Sequence, residues 1–535
     1  MAPRSASAAV FTIGCHEIEA GEPAIASVGF KAYNLWRMAR LGLPVPPAFV
    51  LGTELCARRM RREPGADAAL ARAIEAGVER LEAATGLRLG DPRRPLVVSV
   101  RSGAPVSMPG MLETVLDVGL SDATLRGVVR LTGNPRMAWD SYRRLVQSFA
   151  TVVERRDARA FDAQTGEALR EAGVEDVRAL DFHEMRALAR RCLEAYEASV
   201  GKPFPQDPRA QLAGAVGAVF DSWRSRKAAA YRALNAIDDS LGTAATVQQM
   251  VYGNAGARSG AGVGFTRNPA TGEPARYVDF LFNAQGEDVV SGRRSGDGDR
   301  VLGDVLPDVQ RSLDTAAALL ERDLGDMQEF EFTVQDGRLF LLQTRNGKRT
   351  PLAAARIAVD MVNEGLLTRE AALERLRGVD FGRVARDRRI SDADEVLARG
   401  IPAGPGIASG PIALDPQAAL RYARSGTPPI LVRETPSTED IQGLASAAGL
   451  LTLEGARTAH AAVVARQLGK ACVLSCRELA IDAPSARCTI GGAPFAQGDT
   501  ITVDGDRGEV LRGTTKVVVE PARELLDAID AWRRP

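Results

Sequence analysis

Apolar and polar positions change period several times along the chain, and each change marks an element. From Gly29 to Val50 the order is turn, amphipathic helix, Gly/Pro break and strand. Pro95 to Val100 is a continuous apolar run that reads as a buried strand, and it ends in a loop rich in Ser, Gly and Pro that contains Ser107 and Gly110. Residues of about 120–240 are charged with helical periodicity and predict a helical insertion. From Val247 to Pro269 two β-like runs flank a loop with glycines at close intervals, Gly253, Gly256, Gly260, Gly262 and Gly264. Gln328 to Val334 and Leu339 to Asn346 alternate with period two on either side of Asp336-Gly337, which predicts a β-hairpin.

The second half is punctuated more densely. Residues 351–399 carry helical patterns with dense charge and read as a helical linker. Gly400 to Gly410, with four glycines and two prolines, is a boundary. Beyond it, β-like runs at Pro429-Ile-Leu-Val-Arg433, Gly449-Leu-Leu-Thr-Leu453 and Ile501-Thr-Val-Asp504 alternate with helical segments after Asp440 and from His460. Residues 400–515 therefore predict a compact α/β unit of about 115 residues, an ordinary size for one domain. Residues 516–535 read as an amphipathic C-terminal helix, and residues 1–350 as one large front domain. The fold class expected is α/β and α+β, multidomain.

Composition narrows the function. A chain of 535 residues is too long for one core and suggests roughly three or four domains. Lys+Arg and Asp+Glu both number 68, so no global basic field points to nucleic acid or a membrane surface, and any phosphate-binding charge must be local. Six Cys are scattered without CxxC pairs, which suits reduced thiols better than disulfides or a zinc site. The N-terminus has no long apolar core before Gly14 and no later run approaches the span of a bilayer, so the expected location is cytoplasmic.

Candidate chemistry gathers at a few positions. Lys31, just before the first helix, would meet a phosphate there or lie at the surface as most lysines do. Arg101 is delivered by a buried strand into a loop of backbone donors and hydroxyls; it suits bidentate phosphate binding or the stapling of that loop to a carboxylate. The glycine-spaced loop would form an anion nest around a polyphosphate, and its strand–loop–strand context argues against a dinucleotide fingerprint, which needs a helix after the glycines. Gln248, Met250, Gly253 and, farther on, Asp279 join Lys31 and Arg101 as nucleotide-binding candidates. In the hairpin, Glu329 and Glu331 share one strand face, and Gln343 and Arg345 share another. A two-residue Asp-Gly turn sets these pairs on opposite faces and a three-residue loop brings them together, so an odd-length loop is expected. The four groups would then hold Mg²⁺ and the phosphates it bridges; otherwise they form a cross-strand salt bridge. His460, one of three His, opens a run of small apolar residues that reads as a buried helix, with Thr458 where a cap belongs. Helix N–H groups and the dipole would stabilise a phosphate on its ring; the alternative is a capping His in a packed turn.

Taken together, Val98-Ser-Val-Arg101-Ser-Gly-Ala104 with Val106-Ser-Met-Pro-Gly-Met111, Phe265-Thr-Arg-Asn-Pro-Ala-Thr-Gly-Glu273, Asn283-Ala-Gln-Gly-Glu-Asp-Val-Val290, Leu342-Gln-Thr-Arg-Asn-Gly-Lys-Arg-Thr350 and Thr458-Ala-His-Ala-Ala-Val-Val-Ala-Arg466 resemble the pyruvate phosphate dikinase family. The resemblance runs from about Gly29 to the C-terminal helix. It implies an ATP-grasp nucleotide-binding domain over 1–350 and a swivelling phosphohistidine domain over 400–515. It also implies Lys31, Arg101, Glu329, Glu331, Gln343 and Arg345 as ATP- and metal-site residues, with Mg²⁺ on Glu329, Glu331 and Gln343. Arg101 and Arg345 would assist His460 as the nucleophile, and Thr458 matches the family's regulatory phosphorylation site. Three departures stand out. The family's glycine pair before the lysine is Gly29-Phe30, with Ala32-Tyr33 after it, which implies a tighter first phosphate loop. Thr-Ser-His is Thr458-Ala459-His460. The chain ends where the family's pyruvate-binding barrel begins, so the acceptor half is expected from a separate barrel protein or another acceptor, or is lost. Expected partners are ATP, phosphate, that acceptor and a second copy of the chain. The competing functions are a non-catalytic ATP-binding regulator and phosphotransfer to a different small molecule.

Overall fold

A computed structural model describes residues 10–15, 21–106, 108, 111–290, 298–390, 394–435, 440–455 and 460–534, with backbone alone at 290, 298–300, 441, 460, 461 and 467. Two compact units emerge: Met1–Ala255 with Phe340–Gln343, and Gly256–Leu339 with Thr344–Pro535. The boundary at Ala255 falls inside the stretch read above as one domain over 1–350. The physical reason is that the strands beyond it form a sheet with its own aromatic core.

In the first unit β1 (Val10–Ile13), β2 (Ala48–Leu51), β3 (Val98–Gly103), β4 (Thr114–Val118) and β5 (Ala244–Gln249) make one antiparallel sheet in the order β1-β2-β5-β3-β4. Phe49, Val98, Val100, Val115 and Val247 are buried from this sheet together with Ile74, Val78 and Leu81 of the Ala66–Thr85 helix. Between β4 and β5 every long element is helical, from Asp122–Thr132 to Arg226–Leu234, in keeping with the charged periodicity.

The second unit begins with β6 (Gly260–Phe265), β7 (Tyr277–Phe282), β8 (Gln328–Gln335) and β9 (Arg338–Asn346), ordered β7-β6-β8-β9. Gly260, Gly262 and Gly264 thus lie inside a strand and not in a phosphate-cradling loop, which corrects the sequence expectation. A Cβ on Gly260, Gly262 or Gly264 would come within 2.2, 2.5 and 2.4 Å of the rings of Phe280, Phe332 and Phe330 respectively. The glycines therefore make room for aromatic packing on that face; Phe280 and Phe332 stack with centroids 5.7 Å apart.

Among the described residues the linker is α-helical over Pro351–Asn363 and Arg369–Arg375, makes a 3-10 turn at Phe381–Arg383, and then turns to strands β10 (Ala385–Arg389) and β11 (Val396–Arg399). Ala385-Arg-Asp-Arg-Arg389 pairs antiparallel with β22 (Val517–Pro521), so the expected C-terminal helix is a strand followed by a helix over Arg523–Arg533. Leu525 and Ile529 of that helix are buried with Ala355, Ala358 and Val359 of the first linker helix.

Between them lies the α/β unit. β12 (Ile401–Gly404), β13 (Ile407–Ala413), β14 (Ile430–Arg433), β15 (Gly449–Thr452), β16 (Ala471–Leu474), β20 (Thr500–Asp504) and β21 (Glu509–Arg512) join β11 in the order β11-β21-β20-β13-β14-β15-β16-β12. β13 to β16 run parallel, with helices Pro416–Arg424, Ile441–Ser446 and His460–Leu468 as crossovers. Ala418, Ala419, Leu444, Ala462 and Ala465 of these helices pack with Leu431, Leu450 and Leu474. A second core sets Val432, Leu451 and Val503 with Leu479, Cys488 and Phe495 of the small sheet β17 (Leu479–Asp482), β18 (Arg487–Ile490), β19 (Ala493–Ala496). Among the described residues no helix is long and apolar enough to cross a membrane.

Candidate active site

In the first unit the sequence candidates Lys31 and Arg101 meet at one corner. Lys31 lies inside the Ile25–Arg40 helix, not before it, and two residues after a break at Gly29, whose φ is 78° and ψ 158°. The break is sterically enforced: a Cβ on Gly29 would sit 2.0 Å from the Gly103 carbonyl oxygen at the end of β3. Phe30 N–H donates to Ala104 O at 2.9 Å, which fixes the helical turn bearing Lys31 to the strand end that delivers Arg101. Arg101 Nη1 donates to Leu342 O at 3.0 Å, so part of its fork is anchored on backbone. Gln248 is buried on β5, and its Nε2 donates to Pro46 O at 3.0 Å, which makes its amide a brace for the Pro44–Pro47 loop. Met250 N–H donates to Val97 O at 2.9 Å and Gly253 is buried in the segment that follows. Gln343 also belongs to this unit.

In the second unit Asp279 on β7 and Glu331 on β8 both pair with Val263 of β6, so the two carboxylates share a sheet face. Glu329, two residues before Glu331, is on that face too. The hairpin loop is the two residues Asp336 and Gly337, at φ 51° and 77°, and the odd-length loop expected above is not formed. Two positive φ values in a row are those of a type I′ turn, whose twist matches the flanking strands. Glu329 and Arg345 nevertheless form an ion pair. The reconciliation lies farther along. Gly347 N–H donates to Met327 O, one residue out of the register that the turn sets. Burial on β9 likewise changes phase, with Leu339 and Leu341 inside and then Thr344. One extra residue in β9, a bulge, moves Arg345 onto the Glu329 face. Burial pulls the Arg345 pKa down, but the Glu329 hydrogen bond and the charges of Glu329 and Glu331 outweigh it, and the net shift is upward. The guanidinium stays charged beside two carboxylates. Among the described residues no three His, Cys, Asp or Glu side chains gather as a metal group.

His460 is the first residue of the His460–Leu468 helix, which follows β15 in the parallel part of the sheet. The carboxyl ends of parallel strands, where crossover helices begin, are where such sheets bind ligands. Ala462 and Ala465 are fully buried, so the small apolar run is a packed helix face. Ser107, Gly110 and Thr458 lie outside the described residues.

Sequence reasoning missed a buried ionic knot behind the Glu329 strand. Arg267, in Phe-Thr-Arg-Asn-Pro, grips Glu321 and Glu364. The motif was visible, but its two partners are 54 and 97 residues away.

Over residues 62–311 the sequence matches the family described as pyruvate phosphate dikinase, AMP/ATP-binding domain, and over 426–508 that described as PEP-utilising enzyme, mobile domain. It is 40% identical over 509 residues to pyruvate, phosphate dikinase of Clostridium symbiosum, covering 94% of this chain and 58% of that protein. The protein of that name in Rhizobium meliloti (strain 1021) is 40% identical over 517 residues, with 94% and 58% covered. Pyruvate, phosphate dikinase 2 of Zea mays is 41% identical over 508 residues, with 94% and 57% covered. The chain thus spans less than two thirds of the length of these relatives.

Proposed function

The chain belongs to the pyruvate phosphate dikinase family through these two domains, and from that premise we propose that it is an ATP-dependent phosphotransferase carrying its phosphoryl group on His460. The supporting observation is positional. His460 opens a helix at the carboxyl end of a parallel strand, within the stretch matched to the mobile domain, where N–H groups favour an attached phosphate.

Lys31 and Arg101 neutralise phosphate charge, with Gln248, Met250, Gly253 and Asp279 completing the nucleotide contacts. Arg345, held charged by Glu329 and Glu331, is available to a phosphate. Glu329 and Glu331 offer carboxylate oxygens on one strand face, a pair that fits Mg²⁺, which keeps one or two carboxylates and fills its remaining positions with water and phosphate; the family resemblance adds the Gln343 amide oxygen as a third donor. When bound, the cation would offset the charge of the phosphates. The His460 ring nitrogen Nε2 attacks the β-phosphorus of ATP; the N–P bond forms as the bond to the α-phosphate oxygen breaks, and AMP leaves. Inorganic phosphate then attacks the terminal phosphorus and departs as pyrophosphate, leaving phospho-His460. Covalent capture divides one difficult transfer into two. Thr458 is the proposed regulatory hydroxyl. The name of the relatives points to pyruvate as onward acceptor, and delivery to it, within one polypeptide or through a partner, is part of the proposal.

Incubating the chain with Mg²⁺ and ATP labelled at the β-phosphorus should give an acid-labile, base-stable protein label that His460→Ala abolishes. Absence of His460-dependent label overturns the proposal.

A further inference from the structure

Behind the strands that carry Glu329 and Arg345 runs a continuous network, buried at its centre, that no part of the chemistry above uses. Arg267, 3% exposed, follows β6. Its Nε donates to both Glu321 oxygens at 3.0 and 3.1 Å and its Nη2 to Glu321 Oε2 at 2.9 Å. Nη1 reaches Glu364 Oε1 at 3.1 Å, and Nη2 also bonds Glu364 Oε2. Glu321 is on the Pro307–Leu324 helix, and Glu364 is the C-cap of the first linker helix, Pro351–Asn363. Thr266 Oγ1 donates to Glu321 and accepts from Gln328 N–H at 3.0 Å. The Gln328 side chain continues the path: Nε2 donates to Asn346 Oδ1 at 2.9 Å and Oε1 accepts from Thr344 Oγ1 at 3.2 Å. Gln328 precedes Glu329, and Thr344 and Asn346 flank Arg345. A second clamp works on the same strand ends. Asp326, two residues before β8, takes Arg349 from beyond β9 and Arg375 from the second linker helix, the latter at 3.0 Å.

We infer that Arg267 is a positioning residue for the phosphate- and metal-facing pair Glu329–Arg345, and that through Glu364 it ties the geometry of that pair to the linker helix; this rests on the phosphotransferase reading. The physical warrant is the bulge in β9. A strand that has left its ladder register needs its side-chain phase held by something else, and Gln328 bonding to both Thr344 and Asn346 holds it at the two residues on either side of Arg345. Gln328 is in turn held at its backbone N–H by Thr266, whose hydroxyl is oriented by Glu321, and Arg267 supplies the counter-charge that pairs the buried Glu321 carboxylate. Arg267 touches neither nucleotide nor metal in this scheme; it acts through its neighbours.

Glu364→Gln is the mild variant. It leaves the Arg267–Glu321 fork intact and removes only the charge on the linker side, at a half-exposed helix end. Calorimetric titration of the full chain with ATP and Mg²⁺ should show affinity falling about threefold to tenfold, the range for a residue coupled to a site through intervening contacts. Affinity for AMP, which lacks the outer phosphates, should stay unchanged, and Arg267→Lys should behave as Glu364→Gln does, more strongly. Hydrogen exchange of the ligand-free chain should rise in β8 and in Thr344–Asn346 while β13 and β20 keep their protection. Unchanged exchange in β8 and β9, or AMP and Mg²⁺-ATP affinities falling together, overturns the inference. A wild-type chain that does not bind Mg²⁺-ATP instead overturns the phosphotransferase reading, and the exchange comparison still decides the role of Arg267.

Discussion

Replacing Gly29 by alanine tests how the corner that sets Lys31 beside the Arg101 strand end is built. With φ 78° and ψ 158°, Gly29 occupies a backbone region essentially reserved for glycine, where a side chain costs about 1–3 kcal/mol. The added Cβ would also stand 2.0 Å from the Gly103 oxygen and 2.5 Å from its carbonyl carbon, both backbone atoms with no rotamer to escape into. Relief requires the helix to draw away from β3, which breaks the Phe30 N–H to Ala104 O bond and forfeits about another 1 kcal/mol. Together these give a loss of about 2–4 kcal/mol, or a lowering of roughly 5–15 °C in the thermal transition of a unit of this size. Gly103→Ala is the matched control. Its Cβ would meet only Val28 O at 3.7 Å and Lys31 Cβ at 3.8 Å, ordinary contacts, so the shift should stay within about 1 kcal/mol. Differential scanning calorimetry of both variants, with Mg²⁺-ATP affinity measured alongside, separates them. Equal transitions for the two, or a Gly29→Ala chain with wild-type stability and affinity, would refute the steric reasoning.

The cysteines and one aspartate give two further outcomes. Burial pushes the thiols of Cys56, Cys192, Cys476 and Cys488 up to about 11 and that of Cys472 up to about 12, while Cys15 is half-buried. A thiol reagent at about pH 8 should therefore modify Cys15 first and the others only on unfolding, and rapid reaction at a second thiol in the native chain contradicts this. Burial, with Asp504 and Asp387 nearby, raises the Asp506 carboxyl above its ordinary value, against the Gly406 N–H that lowers it. A raised carboxyl binds its proton more tightly in the folded state, so its ionisation destabilises the fold increasingly as pH rises through the folded pKa and has no effect below the unfolded one. Asp506→Asn should raise the thermal midpoint at pH 7 and lose that advantage in acid; a midpoint gain independent of pH argues against the assignment.

What was legible in the sequence was what local pattern controls. The helices of the 120–240 region, the Gln328–Asn346 hairpin, β14, β15 and the helix that starts at His460 all follow from periodicity, caps and turn residues. What escaped it depends on distant partners. The β9 bulge lies where Leu341 N–H bonds Pro44 O and Leu342 O accepts from Arg101, contacts made across nearly the whole front half of the chain. The glycines of β6 pass for a loop until three phenylalanine rings from two other strands fill the space above them. Ala385–Arg389 has the charge of an exposed helix, yet Arg389 is buried with Asp504 and Glu509, and the segment is a strand because that pairing and β22 hold it there. Of the candidate residues, Glu329, Glu331 and Arg345 come together through a bulge where an odd-length loop was expected, and Lys31 lies beside the strand end that bears Arg101; the Gln248 side chain braces a loop.

The hairpin shows that register and chemistry had to be solved together. The Asp336-Gly337 turn alone would send Arg345 to the face opposite Glu329, leaving a carboxylate that is only 8% exposed without its cation. An unpaired buried charge costs several kcal/mol, far more than one bulged residue loses in ladder bonds, so the pair outweighs the turn and the extra residue is kept. A bulged strand is softer than a regular one, and that softness falls at the residues proposed to meet phosphate and Mg²⁺. The ionic knot around Arg267 is therefore not redundant packing. It restores at the side chains the rigidity that the bulge removes from the backbone, and because one of its carboxylates caps a linker helix, the stiffness of the site depends on where that helix ends.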